Sequence, residues 1–315
     1  MNGKNLNVRY RKNTYAKKRI KVIAIILGIV AVIALVLFLV IGGILNKKVD
    51  NNGENTIVHG TQNTEKAPEH KQVAAVKGYG VSLSGITSTA VSEKAAAISK
   101  AGGNNMSFLV RDDSGRELYN SALAQSMGKQ SGENYIDIGN IEKTASNKRL
   151  SSSAIVPVYS FDKKDDIERA AQLFYDASIC VECSREGADD VLVKLEGVQI
   201  TDKNIEELLR FADWVKDLDQ KVVLGITLTR DVLEKGNAEV LVGKLWEKYD
   251  FLALDLTDMK AGETIAREGK NNEIQFYLLM YKMRVLLPDL SAEELEEIVA
   301  EIESMNVNNW QTVVK

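Results

Sequence analysis

The chain has 315 residues, of which 45% are hydrophobic, 27% charged and 6% aromatic, and its formal charge is −4. With two cysteines it is no disulfide scaffold. Its two histidines, His59 and His70, both precede the part expected to fold, which excludes Ser-His-Asp and Cys-His catalysis, histidine general bases and most zinc sites there.

Taken from the amino end, residues 1–21 are a basic tail with eight Lys and Arg and no acid, so everything from Val22 onward carries −12. Such a balance suits neutral sugars or proteins better than nucleic acid or anionic wall polymers. Val22 to Leu45, VIAIILGIVAVIALVLFLVIGGIL, runs 24 residues without a charge. At about 1.5 Å per residue it can cross a hydrocarbon core of roughly 30 Å as one transmembrane helix. The basic excess on its amino side predicts a cytoplasmic N-terminus and an extracellular C-terminal domain. A cleavable signal peptide is the rival reading, but Gly42-Gly43-Ile44-Leu45-Asn46 offers no Ala-x-Ala pattern. Residues 46–77 are polar and read as a flexible tether, with a coil dimension of roughly 30 Å.

Residues 78–315 alternate short β-type runs with helical periodicity. Tyr79–Ser84 is a predicted first strand, followed by a helix that Ser92 caps and Gly102-Gly103 ends. Met106–Arg111 is the second strand, and a long polar excursion from Asp112 to Asn140 follows, a candidate lid or binding loop. After a helix over Ile141–Arg149, Ala154–Ser160 is the third strand. Asp165–Arg185 is helical, with Ile167, Ala170, Ala171, Phe174 and Val181 as its apolar stripe. Cys180 and Cys183 fall in its second half, where buried thiols are expected rather than the helix-opening pair of a redox motif. Strands at Asp190–Glu196, Val222–Leu228, Phe251–Leu256, Arg284–Leu287 and Trp310–Val314 alternate with further helices. Eight strand signals in one domain of about this size predict an α/β fold, a (β/α)8 TIM-type barrel. A doubly wound open sheet is the alternative, but Ser84-Gly85-Ile86-Thr87 lacks the glycine spacing of a dinucleotide loop.

In such barrels the chemistry projects from the carboxyl ends of the strands. Those ends carry Asp112 and Asp113, Asp162, Glu196, Arg230 and Asp231, and Asp255 and Asp258. Paired carboxylates across a barrel mouth are what glycoside hydrolysis uses, about 5 Å apart for retention and wider for inversion.

Asn104–Ser121, NNMSFLVRDDSGRELYNS, and Glu182–Glu196, ECSREGADDVLVKLE, resemble the second and fourth strands of the DUF4015 family of predicted glycoside hydrolases. That family reads roughly NA-x-VIDVKDDSG-x-x-x-Y and E-x-x-x-x-GFDEI-x-x-D there. The resemblance extends loosely over Gly78–Val314, with KVVLGITLT for strand five and NNWQTVV near the end; RDDSG-x-x-x-Y is its specific part. It implies a sugar-cleaving barrel acting on a polysaccharide or cell-wall glycan, with no cofactor and no metal. Asp112, Asp113, Glu196 and Asp255 are the candidate catalytic acids, and Arg111, Lys194, Tyr79, Tyr159, Asp162 and Trp310 the candidate substrate-binding residues. Tyr119 and Phe161 are further aromatic candidates for stacking on a sugar ring, with core and rim packing as the alternative for all of these rings.

The chain departs from the family at two inward positions, where Leu109 and Lys194 stand in place of acids. Strand alternation puts Leu109, Arg111 and Asp113 on one face and Leu192, Lys194 and Glu196 on another. Glu196 either replaces the missing carboxylate or pairs with Lys194. Two expectations follow: a membrane-anchored hydrolase, or a silent barrel that binds glycan or protein.

Overall fold

The computed structural model describes residues 73–130, 136–159, 165–198, 200–202, 204–260, 262–266 and 269–314. The basic tail, the apolar run Val22–Leu45 and most of the tether lie outside them; among the described residues no helix is long and apolar enough to cross a membrane.

Eight parallel strands close on themselves in sequence order: β1 (Lys77–Gly80), β2 (Asn105–Leu109), β3 (Ser151–Val158), β4 (Asp190–Leu195), β5 (Leu224–Thr229), β6 (Phe251–Asp255), β7 (Arg284–Leu287) and β8 (Trp310–Thr312). Closure comes where Lys77 and Gly78 pair with Trp310 and Gln311. The expected (β/α)8 barrel is therefore present, and the open sheet is excluded.

Outside the strands run α1 (Ser88–Lys100), α2 (Ala122–Met127), α3 (Ile138–Ser146), α4 (Asp166–Arg185), α5 (Ile205–Leu218), α6 (Arg230–Leu233), α7 (Ala238–Lys248), α8 (Asn271–Met280) and α9 (Ala292–Ser304). Local chemistry fixes several of their starts. Asp165 accepts from the amides of Ile167 and Glu168 at the head of α4, and Ser291 with Glu294 forms a reciprocal capping box on α9. For α1 the cap is Thr87, which accepts from Ala90 N–H, rather than the predicted Ser92. The helix thus begins four residues before the expected cap.

Strand alternation sorts the apolar residues into two cores. Met106, Phe108, Val156, Val193, Leu228 and Leu254 face the helices, while Leu109, Ile155, Leu192, Phe251, Ala253, Leu286 and Val313 fill the barrel interior. Burying side chains of this size stabilises by about 1.5–3 kcal/mol each. Gly225 exists to admit one of them, since a Cβ there would lie 2.3 Å from the Phe251 ring. β1 sits two residues earlier than predicted and carries two glycines that strand propensity disfavours. At Gly78 a Cβ would lie 2.6 Å from Gln311 Cβ, so the closing seam demands what local propensity discourages.

Two further expectations are corrected. On α4, Ile167 is 81% and Phe174 51% exposed, and the buried face is Leu173, Tyr175, Asp176, Ala177, Ile179, Cys180, Val181 and Cys183. A charged residue, Asp176, belongs to the buried face because it meets an arginine from β2's end, which apolar periodicity cannot register. The Asp112–Asn140 excursion is also no free lid. It contains α2 and α3's start, pairs Arg111 with Glu117 and Tyr119 with Ile136, and buries Glu117, Tyr119 and Ser121 against α4.

Candidate functional site

The carboxyl end of the barrel interior is charged where the layer beneath it is apolar. Lys194, on β4, points inward above Leu192 and is 4% exposed. Its ammonium lies 2.6 Å from Glu196 Oε1, just past the end of β4, and 3.4 Å from Asp255 Oδ2 at the end of β6. Those two carboxylate oxygens are therefore no more than 6.0 Å apart (2.6 plus 3.4). Asp255 is fixed from its other oxygen, which accepts from Thr257 N–H at 2.9 Å and Thr257 Oγ1–H at 2.7 Å. Burial works against the Lys194 charge, but Asp255 and Glu196 more than offset it and push the ammonium's pKa up. Lys194 is thus held as a cation.

Above this cluster opens a cavity of about 320 Å³, walled by Lys194, Glu196, Thr229, Arg230, Asp255 and Asp258 among others. That volume falls at the lower end of ordinary ligand clefts. Tyr159, after β3, lies within electrostatic reach of Glu196 and Asp113: burial, then these two acids, push its phenol up to about 12, so it is a proton donor throughout the neutral range. Asp112 has a different job. Its Oδ1 accepts from Ser114 N–H, Ser114 Oγ–H and Arg116 N–H, tying the RDDSGR stretch into a turn. Asp113 is exposed on that turn, within electrostatic reach of Tyr159.

Of the predicted residues, Lys194, Glu196 and Asp255 are brought together, and Tyr159 lies within electrostatic reach of Glu196 and Asp113. Three predicted binding residues are not at the mouth. Arg111 leaves the face it was assigned because β2 ends at Leu109; the guanidinium reaches past β3 to Pro157 O (2.7 Å), Glu117 (2.7 Å) and Asp176 (2.9 Å). Asp176 and Glu117 outweigh burial to keep it charged. Tyr79 and Trp310 pack edge to face on the outer side of the barrel, centroids 5.4 Å apart, and Trp310 is buried. Tyr119 is fully buried and donates to Glu182 at 2.6 Å behind the barrel. For these three rings the packing role holds. Asp162 and Phe161 lie outside the described residues.

Leu109 is interior as expected, in the apolar layer with Ile155 and Leu192, so no carboxylate comes from β2. Cys180 and Cys183 are fully buried, and burial pushes both thiols up. Among the described residues no group of three His, Cys, Asp or Glu side chains could hold a metal ion. Sequence reasoning missed Thr229 and Thr257. The Asp-x-Thr spacing at Asp255 was a usable signal for the second, because a hydroxyl two residues on can close a turn on the carboxylate; nothing marked the first.

The opposite end of the interior holds a second charged group. Arg284 on β7 forks onto Asp190 on β4 at 2.9 and 3.1 Å, and donates to Gln311 at 2.9 Å and Ser153 at 3.3 Å. Phe251 lies under the guanidinium, 4.3 Å from centroid to carbon. Asn105 donates to Ser151 and Ser153 and completes a polar floor.

Fold and mouth together define a (β/α)8 barrel with a polar cavity at the carboxyl ends of β4, β5 and β6. No protein-family model and no curated protein matches the chain. Among solved structures it is similar to a D-allulose 3-epimerase from Methylomonas sp., at 10% identity over 76% of this chain and 85% of that one, with a TM-score of 0.47. It is also similar to the Bacillus cereus spore cortex-lytic enzyme SleL (10% identity, 77% and 72% coverage, TM-score 0.47) and to Thermotoga maritima Cel5A (14% identity, 75% and 89%, TM-score 0.47).

Proposed function

We propose that this chain is a membrane-anchored, extracytoplasmic barrel, a divergent relative of the DUF4015 glycoside hydrolases, that binds a cell-envelope or environmental glycan at its mouth without cleaving it. The observation that carries this reading is the Lys194 ammonium between Glu196 and Asp255. Hydrolysis needs one carboxyl to protonate the leaving oxygen and another to reach the anomeric carbon or activate a water. Here the Lys194 ammonium lies between Glu196, to which it donates, and Asp255, with which it forms an ion pair. Leu109 takes the place of a third. What remains is a cavity of sugar-sized dimensions with donors and acceptors at close quarters, which suits binding.

One observation favours hydrolysis instead. A carboxylate separation of at most 6.0 Å includes the spacing of about 5–5.5 Å that retaining enzymes use. Incubating the detergent-solubilised full chain with immobilised glycans, and then assaying the same mixtures for released reducing ends, separates the two. Retention of glycan with no release supports the binder; release of reducing ends establishes the hydrolase. The anchor rests on the uncharged run Val22–Leu45. Alkaline extraction of membranes tests it, since a spanning helix keeps the chain in the pellet and a cleaved leader lets it go.

A further inference from the structure

The mouth carries more than a structural ion pair. An ammonium has three N–H donors. Lys194 donates one to Glu196 and forms an ion pair with Asp255 at 3.4 Å, and it has no further partner among the described residues although it is 4% exposed and walls the cavity. Thr229, pairing with Asp255 in register and inward-facing, adds a hydroxyl that is buried and also has no partner among the described residues. A buried donor left unmade is expensive. Both groups line the same cavity, where the oxygen of a ligand or of water would satisfy them.

We propose that Lys194 is the recognition residue of this cavity and that its ligand is the vicinal diol of an uncharged saccharide. This rests on the glycan-binding reading and narrows it to a substrate class. Adjacent hydroxyls match the wall because each can accept from one group and donate to the next. One hydroxyl accepts the third N–H of Lys194 and donates to Glu196 or Asp255; its neighbour engages the Thr229 hydroxyl in the same way. Charge selects against acidic sugars. The cavity sets Lys194 and Arg230 against Glu196, Asp231, Asp255 and Asp258, an excess of two negative charges around a small volume. A carboxylate or phosphate on the ligand would meet that excess with the Lys194 ammonium already shared between two acids and the Arg230 guanidinium already 3.7 Å from Glu263.

The test uses the full chain in detergent and calorimetric titration with four probes: cellohexaose or maltohexaose, the same hexasaccharide after periodate cleavage and borohydride reduction, chitosan hexamer, and hexagalacturonate. The expected result is binding of a neutral hexasaccharide, lost when its diols are cleaved, with weaker binding of the amino sugar, whose ammonium replaces one hydroxyl of the diol and cannot accept from Lys194, and none of the uronate. Lys194→Met is expected to weaken the neutral sugar at least about tenfold, as loss of a hydrogen bond to a charged donor does. Should that variant fold poorly, the periodate comparison on the unaltered chain decides alone. Equal binding of the cleaved sugar, tighter binding of the uronate or the chitosan hexamer, or unchanged affinity in folded Lys194→Met each overturns the assignment while leaving glycan binding intact. No binding of any probe overturns both.

Discussion

The barrel interior contains two basic side chains held by acids, and they differ in what surrounds them. At the floor, Arg284 is fully buried, forked onto Asp190, capped by Gln311 and Ser153 and stacked on Phe251. At the mouth, Lys194 is nearly as recessed but borders a cavity, and Glu196 beside it keeps a quarter of its side chain in solvent. Arginine's planar fork suits a closed, bidentate arrangement, whereas lysine's rotatable ammonium can share its donors with an incoming molecule. The same charge pairing is sealed at the floor and open to a cavity at the mouth, and on the reading proposed above the first serves stability and the second recognition.

That contrast can be broken at either end. Arg284→Met should cost the most, about 3–5 kcal/mol in denaturant unfolding, because Asp190 is left as a buried charge without its partner; a loss below about 1 kcal/mol would make the floor dispensable. Arg111→Met should cost a similar amount, about 3–5 kcal/mol, since it strands Glu117 and Asp176, both with side chains at 0% exposure. Gly225→Ala should cost about 1–3 kcal/mol by overpacking against Phe251. All three should leave glycan affinity unchanged in the molecules that remain folded.

A subtler effect comes from Glu117, whose pKa burial raises despite the pull of Arg111 and Tyr175. Between the ordinary carboxylate range and the raised value the folded state holds a proton that the unfolded chain has released, and above it Glu117 is the carboxylate to which Arg111 and Tyr175 donate, so the stability its proton contributes is present at acidic pH. It is lost as pH rises from the ordinary carboxylate range through the raised value. Glu117→Gln should flatten that decline in unfolding midpoints measured across the range. The smallest stability effects belong to the mouth. Glu196→Gln should change stability by less than about 1 kcal/mol, as partly solvated pairs do, yet reduce sugar affinity. Tyr159→Phe should do the same more weakly.

Much of this architecture was readable from the chain. The parallel barrel followed from eight apolar runs spaced by helices, and Glu196 and Asp255 followed from their places at strand ends. Lys194 was legible as an inward residue because alternation along β4 holds to its last residue. Arg111 was misread for the complementary reason. Alternation stops where β2 stops, and the side chain goes where buried acids wait, one of them 65 residues further on. Tyr79 and Trp310 show that an aromatic on a strand cannot be assigned to the mouth without knowing which face it takes. Asp112 served its own turn, a local competition between side chain and backbone that a carboxylate count does not separate from catalysis.

The central claim is that the mouth binds sugar and leaves the glycosidic bond whole. Ligand-observed NMR of a neutral hexasaccharide mixed with the full chain tests it in one sample. The account predicts saturation transfer to the sugar's ring protons with the anomeric signals unchanged over days. New reducing-end anomeric signals, or no transfer at all, would contradict it.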